Sequence, residues 1–445
     1  MKHNFFKTIL LLTGMMAVSC VKNEPLDIEG DYKKGIQERA TEREAKEKEA
    51  QEKADEESKK AWDSYYKMLT EYKQKSWAGE KPFTYMFWSG WGAVEGLDKS
   101  WLQSIPDSIT AISIWGGWGK EPEELTENQI FDIDRFHEKG STIFTCYQVS
   151  TVGLGLPGGL EEFTKKYGRE KSSEAETKRA KIYAREIARH IIALNFDGFD
   201  IDWEPTVGDH GSGYHEFAGG QGRVNSFTDN MITFFTELGK YFGAKYSGDE
   251  RKQYLTELFN ENNTEYHSAE KESIAKYKPY FEKYKAVDKK FYLIFDGQFF
   301  PMTEELDKYF DKYVMQDYGR VDQFSNYLVS PIIAVGGRST YIPNNKRAAS
   351  TAELEKGQFS LLIDKAKAYP TKNGGVSGYK GDFDYRSDVN TDDFANYLVK
   401  NKINGRKYKH YAYFREAIRI MDPRSAEEYK TYEEKIVIRT PKNPK

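Results

Sequence analysis

Cysteine is nearly absent, with two residues, Cys20 and Cys146, in a chain of 445. Cys20 falls in a leader segment, so no structural disulfide is expected within the mature chain. An excess of charge of one sign is missing too. Lys and Arg total 66 against 70 Asp and Glu, a net charge of −4, which offers no electrostatic pull on nucleic acid. Past the first twenty residues, no run is long and apolar enough to enter a membrane. No Gly-rich phosphate loop of the dinucleotide type follows any candidate strand. Aromatic residues, by contrast, are abundant: 31 Tyr, 27 Phe and 8 Trp make up 15% of the chain. The apolar C–H faces of sugar rings stack on aromatic faces, so this richness suits carbohydrate binding; a large aromatic core accounts for most of it.

The N-terminus reads as a targeting segment. Lys2, His3 and Lys7 give a basic start, Ile9 to Val18 an apolar core, and Ala17-Val18-Ser19-Cys20 a small-residue site. It resembles a bacterial lipoprotein signal in which Cys20 is lipidated and becomes the new N-terminus. Ala17 stands where such signals usually carry Leu, which leaves plain secretion as the alternative. The resemblance implies an outer-membrane lipoprotein, exposed at the cell surface or facing the periplasm, with the lipid as its only membrane contact. Residues 21–78 read as a charged helical tether. Glu42–Lys46, Glu44–Lys48, Glu49–Lys53 and Glu56–Lys60 are spaced for helical ion pairs. An apolar stripe at Trp62, Tyr65, Tyr66, Leu69 and Tyr72 is spaced to dock the last turns on a domain.

From about residue 80, short β-rich runs alternate with helical stretches. Candidate strands are 83–88, 109–115, 142–148, 198–204, 291–296, 313–318, 332–336 and 375–379; candidate helices include 127–137, 173–194, 225–241, 322–328, 351–368 and 411–421. Eight strand–helix units imply a parallel α/β architecture, and the count fits a (β/α)8 TIM barrel over residues 79–425, with 426–445 as a tail. A doubly wound open sheet is the alternative. The stretch from Pro205 to Lys290 is too long for one barrel helix, so a long insertion is expected after the fourth strand.

The chemistry concentrates on that strand, Phe196-Asp197-Gly198-Phe199-Asp200-Ile201-Asp202-Trp203-Glu204-Pro205. Strand side chains alternate faces, so Asp200, Asp202 and Glu204 point one way, into the barrel, while Phe199, Ile201 and Trp203 face covering helices. Three stacked carboxylates are costly unless they share protons and hydrogen bonds, and such a cost at the end of a barrel strand marks function. A buried structural acid ladder or a metal site is the alternative, the latter disfavoured because no His shares the face. Like charges raise the pKa of Glu204 and keep it protonated as a general acid toward a glycosidic oxygen. No carboxylate is obviously placed across the sugar as nucleophile. The substrate's own 2-acetamido oxygen could take that part, with Asp202 orienting the acetamido N–H and Asp200 sharing a proton with Asp202.

Asp197-x-x-Asp200-x-Asp202-x-Glu204 resembles the Asp-x-x-Asp-x-Asp-x-Glu signature of glycoside hydrolase family 18, and the resemblance extends in element order over roughly residues 82–421. It implies the retaining, acetamido-assisted mechanism. The family holds chitinases and endo-β-N-acetylglucosaminidases that cut the chitobiose core of N-glycans. A lipoprotein with a charged tether resembles the endoglycosidases of Bacteroidetes. By the same resemblance, Tyr318 on the sixth strand would hold the acetamido carbonyl. The sequence departs from chitinases at Thr145-Cys146-Tyr147-Gln148, where they carry Ser-x-Gly-Gly, and at Tyr379, where they usually place Trp. The sixth strand, Val314-Met315-Gln316-Asp317-Tyr318, also breaks their Met-x-Tyr-Asp order. The departures favour an endoglycosidase, with a chitinase or a non-catalytic glycan-binding lipoprotein as alternatives.

Further substrate-binding candidates are Trp88, Trp115, Asp296, Gln298, Gln316 and Tyr379, with Trp91, Trp118 and Gly297 nearby; against ligand contact, each Trp could simply pack the rim. His210 and His215 read as exposed loop histidines, Arg338 as a surface ion-pair residue, and Cys146 as a small buried hydrophobe. No cofactor or metal is expected. The expected partner is an N-acetylglucosamine-containing glycan and the expected state a monomer.

Overall fold

The computed structural model describes residues 30–115, 118–149, 151–203, 226–297, 301–316, 332–336, 359–371, 373–385, 410–423 and 438–443. The chain divides into two units, residues 1–64 and 65–445. A long helix, α1 (Gly30–Trp77), crosses that boundary. In the first unit its residues from 40 on whose burial is described are exposed apart from Ala61. Glu56 pairs with Lys60 at 2.7 Å as its spacing predicts, whereas Lys48 pairs with Glu52 instead of Glu44. Such pairs stabilise an exposed helix only slightly. Trp62, the first member of the apolar stripe, remains 42% exposed. Among the described residues no helix is long and apolar enough to cross a membrane.

The second unit is built on eight parallel strands, β1 (Phe83–Trp88), β2 (Ala111–Trp115), β3 (Thr142–Gln148), β4 (Gly198–Trp203), β5 (Tyr292–Gly297), β6 (Lys312–Gln316), β7 (Ile332–Gly336) and β8 (Gly375–Tyr379). They pair in sequence order, and β8 returns to β1, closing a (β/α)8 barrel. Closure gives every strand two buried faces, so the strands read as near-continuous apolar runs. The odd residues of β1, Phe83, Tyr85 and Phe87, line the lumen together with Ala111, Phe144, Cys146, Ile294 and Val314. The even residues Met86 and Trp88 join the layer between barrel and helices, as do Phe199, Ile201 and Trp203 of β4. The period-two assignment of β4 therefore holds from Phe199 to Trp203. Gly198 is required where β4 begins: a Cβ there would lie 2.2 Å from the Tyr292 carbonyl oxygen.

The floor of the barrel is aromatic. Trp77, the last residue of α1, stacks on Tyr292 with ring centroids 3.8 Å apart and meets Phe83 edge-on at 4.6 Å. The preceding turns are anchored: Leu69 and Tyr72 are buried, and the Lys73 ammonium donates to the Lys139 carbonyl and to Ser141 Oγ at 2.7 and 2.5 Å.

Around the strands lie α2 (Glu127–Glu138), α3 (Gly159–Tyr167) and α4 (Ser173–Ala193), and between β4 and β5 the insertion contributes α5 (Asp229–Leu238), α6 (Gly248–Leu258) and α7 (Ser268–Lys283). Buried charges hold the insertion to α4. Arg185 grips both oxygens of Glu270 at 2.7 and 2.9 Å and also reaches Glu237, while Arg189 joins Glu270 to Glu186. The Tyr266 ring lies against both guanidinium groups. Later helices are α8 (Glu304–Asp307), α9 (Phe359–Lys367) and α10 (Ala412–Met421).

Candidate active site

The strand register determines which side chains meet in the lumen. Asp202 on β4 is the direct partner of Gln148 on β3 and of Asp296 on β5, and Asp200, one step deeper, is the partner of Cys146. Two acidic residues side by side on adjacent strands repel unless donors separate them. Gln316, on β6, supplies the donors: its Nε2 amide donates to Asp202 Oδ1 at 2.9 Å and to Asp296 Oδ2 at 2.8 Å. Below them the Tyr85 hydroxyl donates to Asp200 Oδ2 at 2.6 Å. Tyr85, Asp200, Asp202, Asp296 and Gln316 are all buried, Asp202 being the most exposed of them at 7%.

Burial decides the electrostatics. Desolvation pushes the Asp200 carboxyl up to about 7, and Tyr85, Asp296 and Ser113, which face it, temper the rise. Burial, with Asp200 beside it, also lifts the Tyr85 hydroxyl well above its usual value, so it stays protonated and acts as a donor. Near neutral pH the site therefore holds a titrating carboxyl at its base and a Gln-bridged acid pair above. That arrangement can keep a proton inside the barrel while presenting a carboxylate toward the mouth. One ligand atom each of Cys146, Asp200 and Asp296 lies within 4.8 Å of the others. The trio offers no imidazole, and both of its carboxylates already accept, from Tyr85 and from Gln316, so it fits proton sharing better than metal ligation.

Asp197, the first acid of the motif, has a separate place. It accepts from His137 Nε2 and from the Ile143 backbone N–H, both at 2.8 Å, and so fixes the start of β4 against β3 and α2.

Of the residues expected at the site, Asp200, Asp202, Asp296 and Gln316 are brought together, and Trp115 and Tyr379 meet at the mouth. Those two rings stand edge to face at 5.0 Å, Trp115 is 38% exposed, and the Lys380 ammonium lies over both. Trp88 is a correction. It falls on an even position of β1, so its ring is fully buried against the helices and is not presented to a ligand. Trp91 is likewise rim packing: its indole N–H donates to Asp132 at 3.1 Å and its ring packs on Trp118 at 5.0 Å. Cys146 is buried in the lumen, as expected. Glu204, Gln298, Tyr318, Cys20, His210, His215, Asp317 and Arg338 lie outside the described residues. The residue that sequence reasoning missed is Tyr85. The available signal was its lumen-facing position between Phe83 and Phe87, where a hydroxyl needs a partner.

The family model described as "Glycoside hydrolase family 18, BT1044-like" matches residues 41–281, which include the whole acidic motif. No match is found among curated proteins. Among solved structures, a selenomethionine form of BT1044 carrying a Glu-to-Gln substitution is 20% identical, covers 82% of this chain and 93% of its own, and superposes with a TM-score of 0.52. At that identity the likeness bears on the fold alone. The endo-β-N-acetylglucosaminidase from Cordyceps militaris is 13% identical, with 80% and 95% covered and a TM-score of 0.42. A family 18 chitinase from the chitin utilization locus of Flavobacterium johnsoniae is 11% identical, with 67% and 87% covered and a TM-score of 0.30.

Proposed function

The chain belongs to glycoside hydrolase family 18, and from that premise we propose that it is an endo-β-N-acetylglucosaminidase acting on the chitobiose core of N-glycans. The observation that carries the reading is the lumen face of β4, where Asp200 and Asp202 are stacked one above the other and Glu204 is next in the same alternation. In the proposed reaction the substrate's acetamido carbonyl oxygen attacks the anomeric carbon. The bond to the leaving oxygen breaks, its electron pair stays on that oxygen, and Glu204 supplies the proton. Asp202 orients the acetamido N–H and stabilises the positive oxazolinium ion. Water then attacks the same anomeric carbon, gives its proton to Glu204 and restores the acetamido group, so configuration is retained. Tyr318 holds the acetamido carbonyl, and Gln298, Trp115 and Tyr379 contact the glycan.

An endoglycosidase is preferred over a chitinase because the lumen carries Cys146 and Gln148 on β3 and Tyr379 at the end of β8. We also propose that Cys20 anchors the protein to the outer membrane, with the charged helix as a spacer and the barrel working as a monomer. The test is mass analysis of products from chain lacking residues 1–20, incubated with a glycoprotein and with chitin oligomers. Free glycans ending in one N-acetylglucosamine support the proposal. Chitobiose from chitin would make it a chitinase, and glycan binding without turnover a lectin-like protein.

A further inference from the structure

Asp296 stands in the lumen beside the two acids of β4, yet no step of the proposed reaction uses it. It is 1% exposed, it is the register partner of Asp202, and its Oδ2 shares the Gln316 amide with Asp202. Its carboxylate and that of Asp200 also come within 4.8 Å of each other. Two buried carboxyl groups this close cannot both ionise at low cost, which favours the state in which the pair keeps one proton. The donors around them fix where the charge lies. Tyr85 donates to Asp200 from β1, and Gln316 donates to Asp296 and Asp202 from β6. Among the described residues, Ser113 on β2 and Cys146 on β3 also face the pair, and neither is cationic.

We propose that Asp296 is a positioning residue: with Asp200 it holds one shared proton, and through Gln316 it keeps Asp202 ionised and aimed at the acetamido group. The inference rests on the catalytic reading of Asp200 and Asp202 given above. Asp296 takes part in no bond-making step, and the shared proton remains on the pair through the cycle. Its value is electrostatic. A pair holding one proton carries one negative charge in place of two, so Asp202 faces the developing cation with one neighbouring anion, where two would otherwise compete for the same donors.

Two substitutions should move the pair's titration in opposite directions. In Asp296→Asn the amide oxygen can still accept from Gln316 and the amide N–H can still donate to Asp200, but the like charge is gone, so Asp200 ionises more easily. In Gln316→Met a donor to the ionised form is lost, so the pair holds its proton to higher pH. The readout is infrared difference titration of the protonated carboxyl band in the full chain, with Asp200→Asn identifying the band. D296N should lower the midpoint by roughly one pH unit or more, and Q316M should raise it. Both should cut kcat at pH 7 by at least about tenfold with KM within about twofold. Unmoved midpoints in both variants would overturn the proposal, and Q316M decides alone should D296N fail to fold. Because the infrared readout needs no turnover, the two claims separate. Shifts without glycan cleavage would discard the endoglycosidase reading and keep the shared proton; cleavage without shifts would do the reverse.

Discussion

The Tyr85 hydroxyl donates to Asp200 Oδ2 at 2.6 Å, joining β1 to β4 through the barrel lumen. A hydrogen bond to a charged group contributes about 1.5–3 kcal/mol. Tyr85→Phe keeps the ring that packs edge-on against Phe87 and Phe144 and removes only the donor. Without it, Asp200 ionises less readily still. Steady-state kinetics should show kcat lower by roughly 10- to 150-fold with KM little changed. An equal loss in KM would instead make the tyrosine a binding residue.

At the mouth, Trp115 and Tyr379 form an exposed aromatic pair, whereas Trp88 is enclosed. Trp115→Ala should weaken glycan binding by about 2- to 12-fold, the worth of one aromatic contact. Trp88→Phe should leave binding unchanged and lower the unfolding midpoint. Calorimetric titration of both variants, each in a Glu204→Gln background, checks the contrast.

Trp77 closes the lower end of the barrel against Tyr292 and Phe83. Truncation to alanine opens a cavity between helix end and strands. Trp77→Ala should cost about 3–5 kcal/mol in urea unfolding while leaving kcat of the folded fraction intact. A loss below about 1 kcal/mol would show that the plug is dispensable.

Asp132 caps the turn at Leu102 and Gln103 and holds the Trp91 indole, and burial raises its pKa from 3.8 to about 6. Between those two values the folded chain keeps a proton that the unfolded chain has released. Its contribution therefore grows as pH falls through the window, and at pH 7 the ionised group costs about 3 kcal/mol relative to an unshifted one. Asp132→Asn removes this titration. Unfolding free energies of wild type minus variant should become more favourable to wild type by about 2–3 kcal/mol from pH 7 to pH 4.5. A pH-independent difference would contradict the shift.

Much of the barrel was legible because period-two alternation and β-rich composition survive burial on both faces. Strand ends were less so: β2 begins at Ala111 and not Ile109, and β6 at Lys312 and not Tyr313, since neighbour pairing sets them. Helices α6 and α7 went unassigned because Arg251 and Glu270 are buried on faces where apolar residues would have revealed the period. In the site, Asp200 and Asp202 were legible from one strand. Tyr85 was not, because its partner lies 115 residues away and only barrel closure brings them together. Trp88 was placed on the wrong side because strand-end position was weighed over its even register.

Glu204→Gln, assayed beside wild type on an N-glycosylated protein, tests proton donation by the last acid of β4's alternation most directly. The account predicts that the variant binds glycan with wild-type affinity and releases product at least about 10³-fold more slowly, the scale of a lost general acid. Turnover at the wild-type rate would contradict it.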